Sequence, residues 1–116
     1  MIKVLHNNEC SKSRGVLEFL DENGVSFEVI DIINDPLTPL EIRTLLKKLD
    51  LKASEIVRTN DALYKEEFSQ KERTEEEWIM LLSENPSLIQ RPILVRPQVA
   101  IIARPLERAK FFIQPD

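Results

Sequence analysis

The sequence predicts an α/β fold: a four-stranded mixed sheet flanked by helices, with a helical insertion between a β–α–β half and a β–β–α half. Three observations predict it. A short apolar run, a helical pattern and an alternating run follow one another within the first 31 residues. Two helical patterns with strong start signals, separated by a polar stretch, fill the middle. Two apolar runs joined by a proline turn, and then a last helical pattern, complete the 116 residues. The two halves fall at 1–34 and 87–116 and the insert at 35–86, all within one domain.

Taken in order, Ile2 to Leu5 is apolar and runs into His6-Asn7-Asn8, a turn former, so it reads as a short interior strand with parallel pairing. Cys10 or Ser11 then opens a helix whose apolar stripe is Val16, Leu17 and Leu20 and whose other side carries Glu18, Asp21 and Glu22. Asn23-Gly24 stops it, because glycine accepts the left-handed conformation of a helix C-cap. Val25 to Asp31 largely alternates apolar and polar residues, the period of a strand. Strand, helix and strand at this spacing make a right-handed crossover between parallel strands.

Thr38-Pro39-Leu40-Glu41 has the residues of a capping box, with proline at the first helical position, and Ile42, Leu45, Leu46 and Leu49 form the apolar face behind it. From Asp50 to Arg73 the chain is polar and irregular, with short helices at most near 54–57 and 61–68. Thr74 to Glu77 is a second capping box, and its helix carries Trp78, Leu81 and Leu82 and ends before Asn85-Pro86. Ile93 to Val95 and Val99 to Ala103 flank the turn Arg96-Pro97-Gln98 as an antiparallel hairpin. Arg104-Pro105 begins the last helix, with Leu106, Ala109, Phe112 and Ile113 on one face.

The net charge of −4 argues against nucleic acid as a direct partner, since phosphate binding needs a basic face. No run approaches the ~20 apolar residues of a membrane helix, and Met1 to Leu5 is too short for the apolar core of a signal peptide. The expectation is a cytoplasmic monomer with no membrane contact, no metal and no tightly bound cofactor. A single cysteine excludes an intramolecular disulfide, so redox chemistry at Cys10 needs a thiol from another molecule.

Cys10 lies in His6-Asn7-Asn8-Glu9-Cys10-Ser11-Lys12-Ser13-Arg14, which also holds the only histidine. A free thiol has a pKa of roughly 8.5, and its thiolate is the nucleophile. The predicted helix N-terminus favours an anion there. Arg14 is four residues on, on the same helix face one turn later, His6 ends the strand across the loop, and Ser11 and Ser13 add hydroxyl donors. By residue type alone a lone cysteine is more often apolar filler, but Glu9 and Ser11 flank this one in a polar loop. Arg58, Arg91 and Arg104 stand near predicted loops and strand ends, where sites form in open α/β folds, and guanidinium forks suit tetrahedral oxyanions. Singly, each is ordinarily a solvated surface arginine; an oxyanion site requires the three to converge.

His6-Asn7-x-x-Cys10-x-x-Ser13-Arg14, Val57-Arg58-x-Asn60, Asn85-Pro86-x-Leu88-Ile89-x-Arg91-Pro92-Ile93 and Arg104-Pro105 occur in this order along nearly the whole chain. In these four blocks the chain resembles the glutathione- and glutaredoxin-coupled arsenate reductases of the ArsC type. The resemblance implies a thioredoxin-like fold with a helical insertion. It implies a nucleophilic Cys10 with His6 and Arg14 beside it, an oxyanion held by Arg58, Arg91 and Arg104 with Ser13, and a cis proline at Pro92. Arsenate, glutathione as co-substrate and glutaredoxin are the implied partners, and arsenic detoxification the implied role. Asn8, Ser11, Lys12 and the turn Arg96-Pro97-Gln98 depart from the familiar pattern. The alternative is a regulatory or protein-binding domain of the same fold, or a thiol reductase acting on another substrate. The regulatory branch typically has Cys-x-x-Cys, and Ser13 in the second position disfavours a self-contained redox switch.

Overall fold

A computed structural model describes residues 2–6, 11–68, 72–103, 108, 110 and 112, with the side chains of 11–13 excepted. Strand β1 (Ile2–His6), helix α1 (Ser11–Glu22), strand β2 (Phe27–Asp31), helix α2 (Pro39–Leu49), helix α3 (Glu75–Glu84), and strands β3 (Ile93–Val95) and β4 (Ala100–Ile102) follow in chain order. The sheet order is β2-β1-β3-β4. β1 runs parallel to β2 and antiparallel to β3, and β3 and β4 form the antiparallel hairpin. A mixed four-stranded sheet flanked by helices is therefore the architecture, with β1 interior as its apolar sequence requires.

Alternation along the strands divides the core between the two faces of the sheet. Ile2 and Val4 of β1 and Leu94 of β3 pack with Val16 and Leu20 of α1, and with Ala103 and Phe112. Leu5, Ile93, Val95, Ala100 and Ile102 point the other way, onto Ile42, Leu45 and Leu46 of α2 and Ile79 and Leu82 of α3. Leu20 and Leu82 are fully buried. Each such side chain contributes about 1.5–3 kcal/mol relative to exposure.

Helices α2 and α3 start as their sequences demand. Thr38 and Thr74 each accept from the backbone N–H three residues on, and Glu41 and Glu77 each accept from the threonine N–H. The end of α1 is equally local: Gly24 has φ +67°, and the N–H groups of Gly24 and Val25 donate to Asp21 and Leu20. That closure takes up Val25, so β2 starts at Phe27 rather than at Val25. Likewise Val99 accepts from the Arg96 N–H in the hairpin turn, and β4 begins one residue later.

In the insert, short 3-10 turns occupy Ala53–Ile56 and Pro86–Leu88, and a wide π-type turn occupies Tyr64–Phe68. On α3 the structure turns the helix somewhat from the expected face: Ile79 and Leu82 are buried, while Trp78 and Leu81 are half-buried. Trp78 is covered by Tyr64, stacked 6.4 Å away, and by the Arg73 guanidinium, 5.1 Å from its ring centre. Of the last predicted helix, Arg108, Lys110 and Phe112 are helical, and Phe112 is buried against the sheet under Arg96. Leu106, Ala109 and Ile113 lie outside the described residues.

Candidate active site

At one end of the sheet lie the ends of β1, β2 and β4 and the start of β3, and of the described candidate residues His6, Arg91 and Pro92 stand there. β1 ends at His6, which is in register with Asp31, the last residue of β2. Because β3 runs antiparallel to β1, its start lies at the same end: Leu5 is opposite Ile93, which Arg91 and Pro92 precede. β4 returns to that end, and the Ala103 N–H donates to the Pro92 carbonyl at 2.9 Å. The Arg91–Pro92 peptide bond is cis, and Pro92 is fully buried.

Helix α1 adds its N-terminus to this end. Twelve helical residues span about 18 Å, and five strand residues about 17 Å. The helix ends beside the start of β2, where Phe27 is in register with Ile2, so its first turn stands level with His6. That first turn contains Lys12 and Arg14 and no acid, whereas the last turn contains Asp21 and Glu22 and no base. This is the reverse of the arrangement that complements a helix dipole. In α2 the charges follow the rule, with Glu41 in the first turn and Lys47 and Lys48 in the last. The first turn of α1 therefore gives up self-stabilisation by its charges.

His6 is 2% exposed and Arg91 3%, a burial that is unusual for an arginine. The Arg91 guanidinium turns back to donate to the Ser87 carbonyl at 3.3 Å. Arg58 is half-buried, and its own N–H donates to the neighbouring Leu88 carbonyl at 2.7 Å. These two bonds draw Arg58 and Arg91, 33 positions apart in sequence, to the same Pro86–Leu88 turn. The antiparallel bridge between Val57 and Ile89 holds them there. Arg14 is exposed on α1, and Ser13 lies in the first turn of that helix. Cys10 and Arg104, the residues next to Ser11 and Ala103, lie outside the described residues, as does the Ser13 side chain.

Two residues at or near this end carry no motif that sequence reasoning picked out. The Asp31 carboxylate accepts the Ile33 N–H at 2.9 Å, the Asn34 N–H at 3.2 Å and the Asn34 side-chain amide at 2.8 Å. The Ile33 and Asn34 backbone bonds, with smaller effects from the Asn34 side chain and from His6, hold its carboxyl below the usual aspartate value against a modest desolvation. A fixed negative charge thus sits beside the buried His6. The other residue, Gln90, bonds across the arginine-bearing segments. Among the described residues no group of three or more His, Cys, Asp or Glu side chains is placed to hold a metal ion. No described helix is long and apolar enough to cross a membrane.

A parallel β–α–β unit and a hairpin sharing one sheet, with a cis proline opening the hairpin strand and a helical insert delivering an arginine beside it, define a thioredoxin-like α/β protein of the inserted kind. The model of the ArsC family matches residues 5–112, and the chain belongs to that family. It is 40% identical over 109 residues to the uncharacterized protein YfgD of Escherichia coli K12, covering 92% of each chain. It is 33% identical over 108 residues to a Neisseria meningitidis protein named arsenate reductase, covering 91% of this chain and 92% of that one. The solved structure of the arsenate reductase from Vibrio cholerae superposes with a TM-score of 0.89 at 29% identity, over 97% of both chains.

Proposed function

We propose that the protein is an arsenate reductase that works through Cys10 with glutathione and glutaredoxin. The observation that supports this reading is the placement of two motif residues at one end of one sheet. His6 ends β1 there and the buried Arg91 precedes β3 there, and the Arg58 backbone bonds to the Leu88 carbonyl three residues before Arg91. The relatives named arsenate reductase support the choice of oxyanion.

In this reading Arg58, Arg91 and Arg104, with Ser13, cradle the arsenate oxygens. The helix N-terminus, Arg14 and His6 hold Cys10 as the thiolate. The thiolate attacks As(V); an S–As bond forms, and one arsenate oxygen leaves as water after protonation. A glutathione thiolate then attacks the Cys10 sulfur. The S–As bond breaks with its electron pair going to arsenic, so As(V) becomes As(III) and leaves as arsenite while a Cys10–glutathione disulfide remains. A glutaredoxin thiolate attacks the glutathione sulfur and releases Cys10 for another turnover. Two thiols supply the two electrons. Phosphate fits the same cradle, so selectivity lies in the reduction, which phosphate does not undergo.

The single thiol needs reduced glutathione, which points to the cytoplasm as the working compartment and to a monomer as a sufficient unit. The test is NADPH oxidation coupled through glutathione reductase and glutaredoxin. Oxidation should depend on added arsenate and vanish in Cys10→Ser. No arsenate dependence in the wild type would reject the activity.

A further inference from the structure

Arg58 belongs to the helical insert, and Arg91 to the segment that enters the sheet. A shared oxyanion cradle needs their separation fixed to a fraction of an ångström, yet the backbone pairing between the two segments is a single bridge, Val57 to Ile89. Two backbone bonds flank it, Arg58 N–H to Leu88 at 2.7 Å and Gln90 N–H to Ile56 at 2.9 Å. So short a ladder, with Ile56 and Val57 buried in the core on one side of it, leaves the carbonyls of this segment available for further bonds. Gln90 takes two of them with its side chain. Its side-chain amide nitrogen donates to the Glu55 carbonyl at 3.2 Å and to the Val57 carbonyl at 3.3 Å. With its backbone bond to Ile56, this one residue engages the three successive carbonyls that lead into Arg58, and it is peptide-bonded to Arg91. Both side-chain partners are acceptors, so the nitrogen end of the amide must face them.

We propose that Gln90 is a positioning residue that fixes Arg58 relative to Arg91 and so sets the fit of the cradle to a tetrahedral oxyanion. This rests on the reading that the two arginines hold the oxyanion. Gln90 touches neither substrate nor thiol in this role; it acts through Arg58.

The test compares wild type, Gln90→Met, which keeps the length and removes the donors, and Gln90→Glu, which turns an acceptor onto two carbonyls. Arg58→Gln and Arg58→Gln with Gln90→Met complete a double-mutant cycle. Coupled turnover gives KM and kcat for arsenate, and the rise in melting temperature with added sulfate reports oxyanion binding without turnover. Gln90→Met should raise KM about tenfold while kcat falls less than about threefold, and should diminish the sulfate shift. Gln90→Glu should be worse. In the Arg58→Gln background, removing the Gln90 donors should change KM less than about twofold. An unchanged KM, or effects that multiply independently, overturns the inference alone if the wild type binds and reduces arsenate. A wild type with neither turnover nor sulfate shift overturns the arginine cradle and the inference together. Failure of both Gln90 variants to fold, by far-UV circular dichroism, would make the residue structural and overturn the inference as well.

Discussion

The reversed charge layout of α1 allows a quantitative test. We predict that Lys12→Glu makes the anion-free protein more stable and the anion-bound protein weaker. Lys12 lies in the first turn of a twelve-residue helix whose first turn has no acid. One favourable charge at a helix end is worth roughly 0.3–1 kcal/mol at low ionic strength, and the substitution both removes an unfavourable charge and adds a favourable one. The gain is therefore about 0.6–2 kcal/mol. Unfolding entropy of about 2.1 cal/mol/K per residue gives ~0.24 kcal/mol/K for a chain of this size, so the melting temperature should rise by about 2–8 °C in dilute buffer. At about 1 M salt, with a screening length near 3 Å, most of that rise should disappear. Sulfate or arsenate at ten times its Kd should stabilise the wild type by about 1.4 kcal/mol, or ~6 °C, and the variant by less than about a third of that. Differential scanning fluorimetry at low and high salt, with and without oxyanion, measures all four quantities. A melting temperature that falls or stays constant in dilute buffer, or a rise that survives high salt undiminished, refutes the electrostatic account. An oxyanion shift equal in both proteins refutes the role of this helix end in holding an anion.

Two further predictions concern caps and acid. Thr74→Ala should lower the stability by about 1 kcal/mol by opening the capping box of α3, seen as a lower urea midpoint at constant slope; an unchanged midpoint would mean the cap contributes nothing. Asp31 titrates below the ordinary aspartate value in the folded chain, so on acidification the unfolded chain takes up the proton first. Its stabilising contribution is whole above the unfolded value of about pH 3.9 and is lost as the pH falls through the lower folded value. Asp31→Asn should make the loss of stability below about pH 4 shallower in urea titrations, and an acid limb identical to wild type would contradict this.

What could be read from the sequence was what is decided locally. Threonine followed three residues later by glutamate builds a capping box wherever a helix follows, and both boxes stand where the sequence puts them. Asn23-Gly24 stops α1 because the left-handed conformation is intrinsic to glycine. Patterning on the strands gave the mixed sheet and the hairpin. One miss is local, a helix closure that overrides a strand, and the others are non-local. Val25 has the composition of a strand residue but is taken by the closure of α1. Ile79 joins Leu82 as a buried residue of α3, while Trp78 lies half-buried under Tyr64 and Arg73, a cover that no local pattern announces. Arg91 reads as a surface arginine until the Pro86–Leu88 turn supplies a carbonyl for it, and Gln90 reads as a loop residue until the bridge at Val57 brings three carbonyls to it. Cys10, His6, Arg14 and the three arginines were singled out by residue chemistry and given their joint roles by resemblance to a family; the order in which the sheet gathers His6, Asp31, Arg91 and Ala103 comes from strand pairing alone.

The pairing of β1 with β3 joins residues 3–5 to residues 93–95. A ribosome adding roughly 5–20 residues per second needs about 5–20 s to make the stretch between them. During that interval the interior strand of the finished sheet has one neighbour at most, and the proposed nucleophile Cys10 has been made without Arg91. The newborn chain can therefore complete β1 and α1 early and still lack an anion cradle until synthesis is nearly over. In the proposed reading the oxyanion-binding half of the site is therefore the last to be assembled, when the partner strand emerges. Nascent chains arrested before β3 should show no protection of Cys10 from alkylation by added sulfate, whereas the finished chain should.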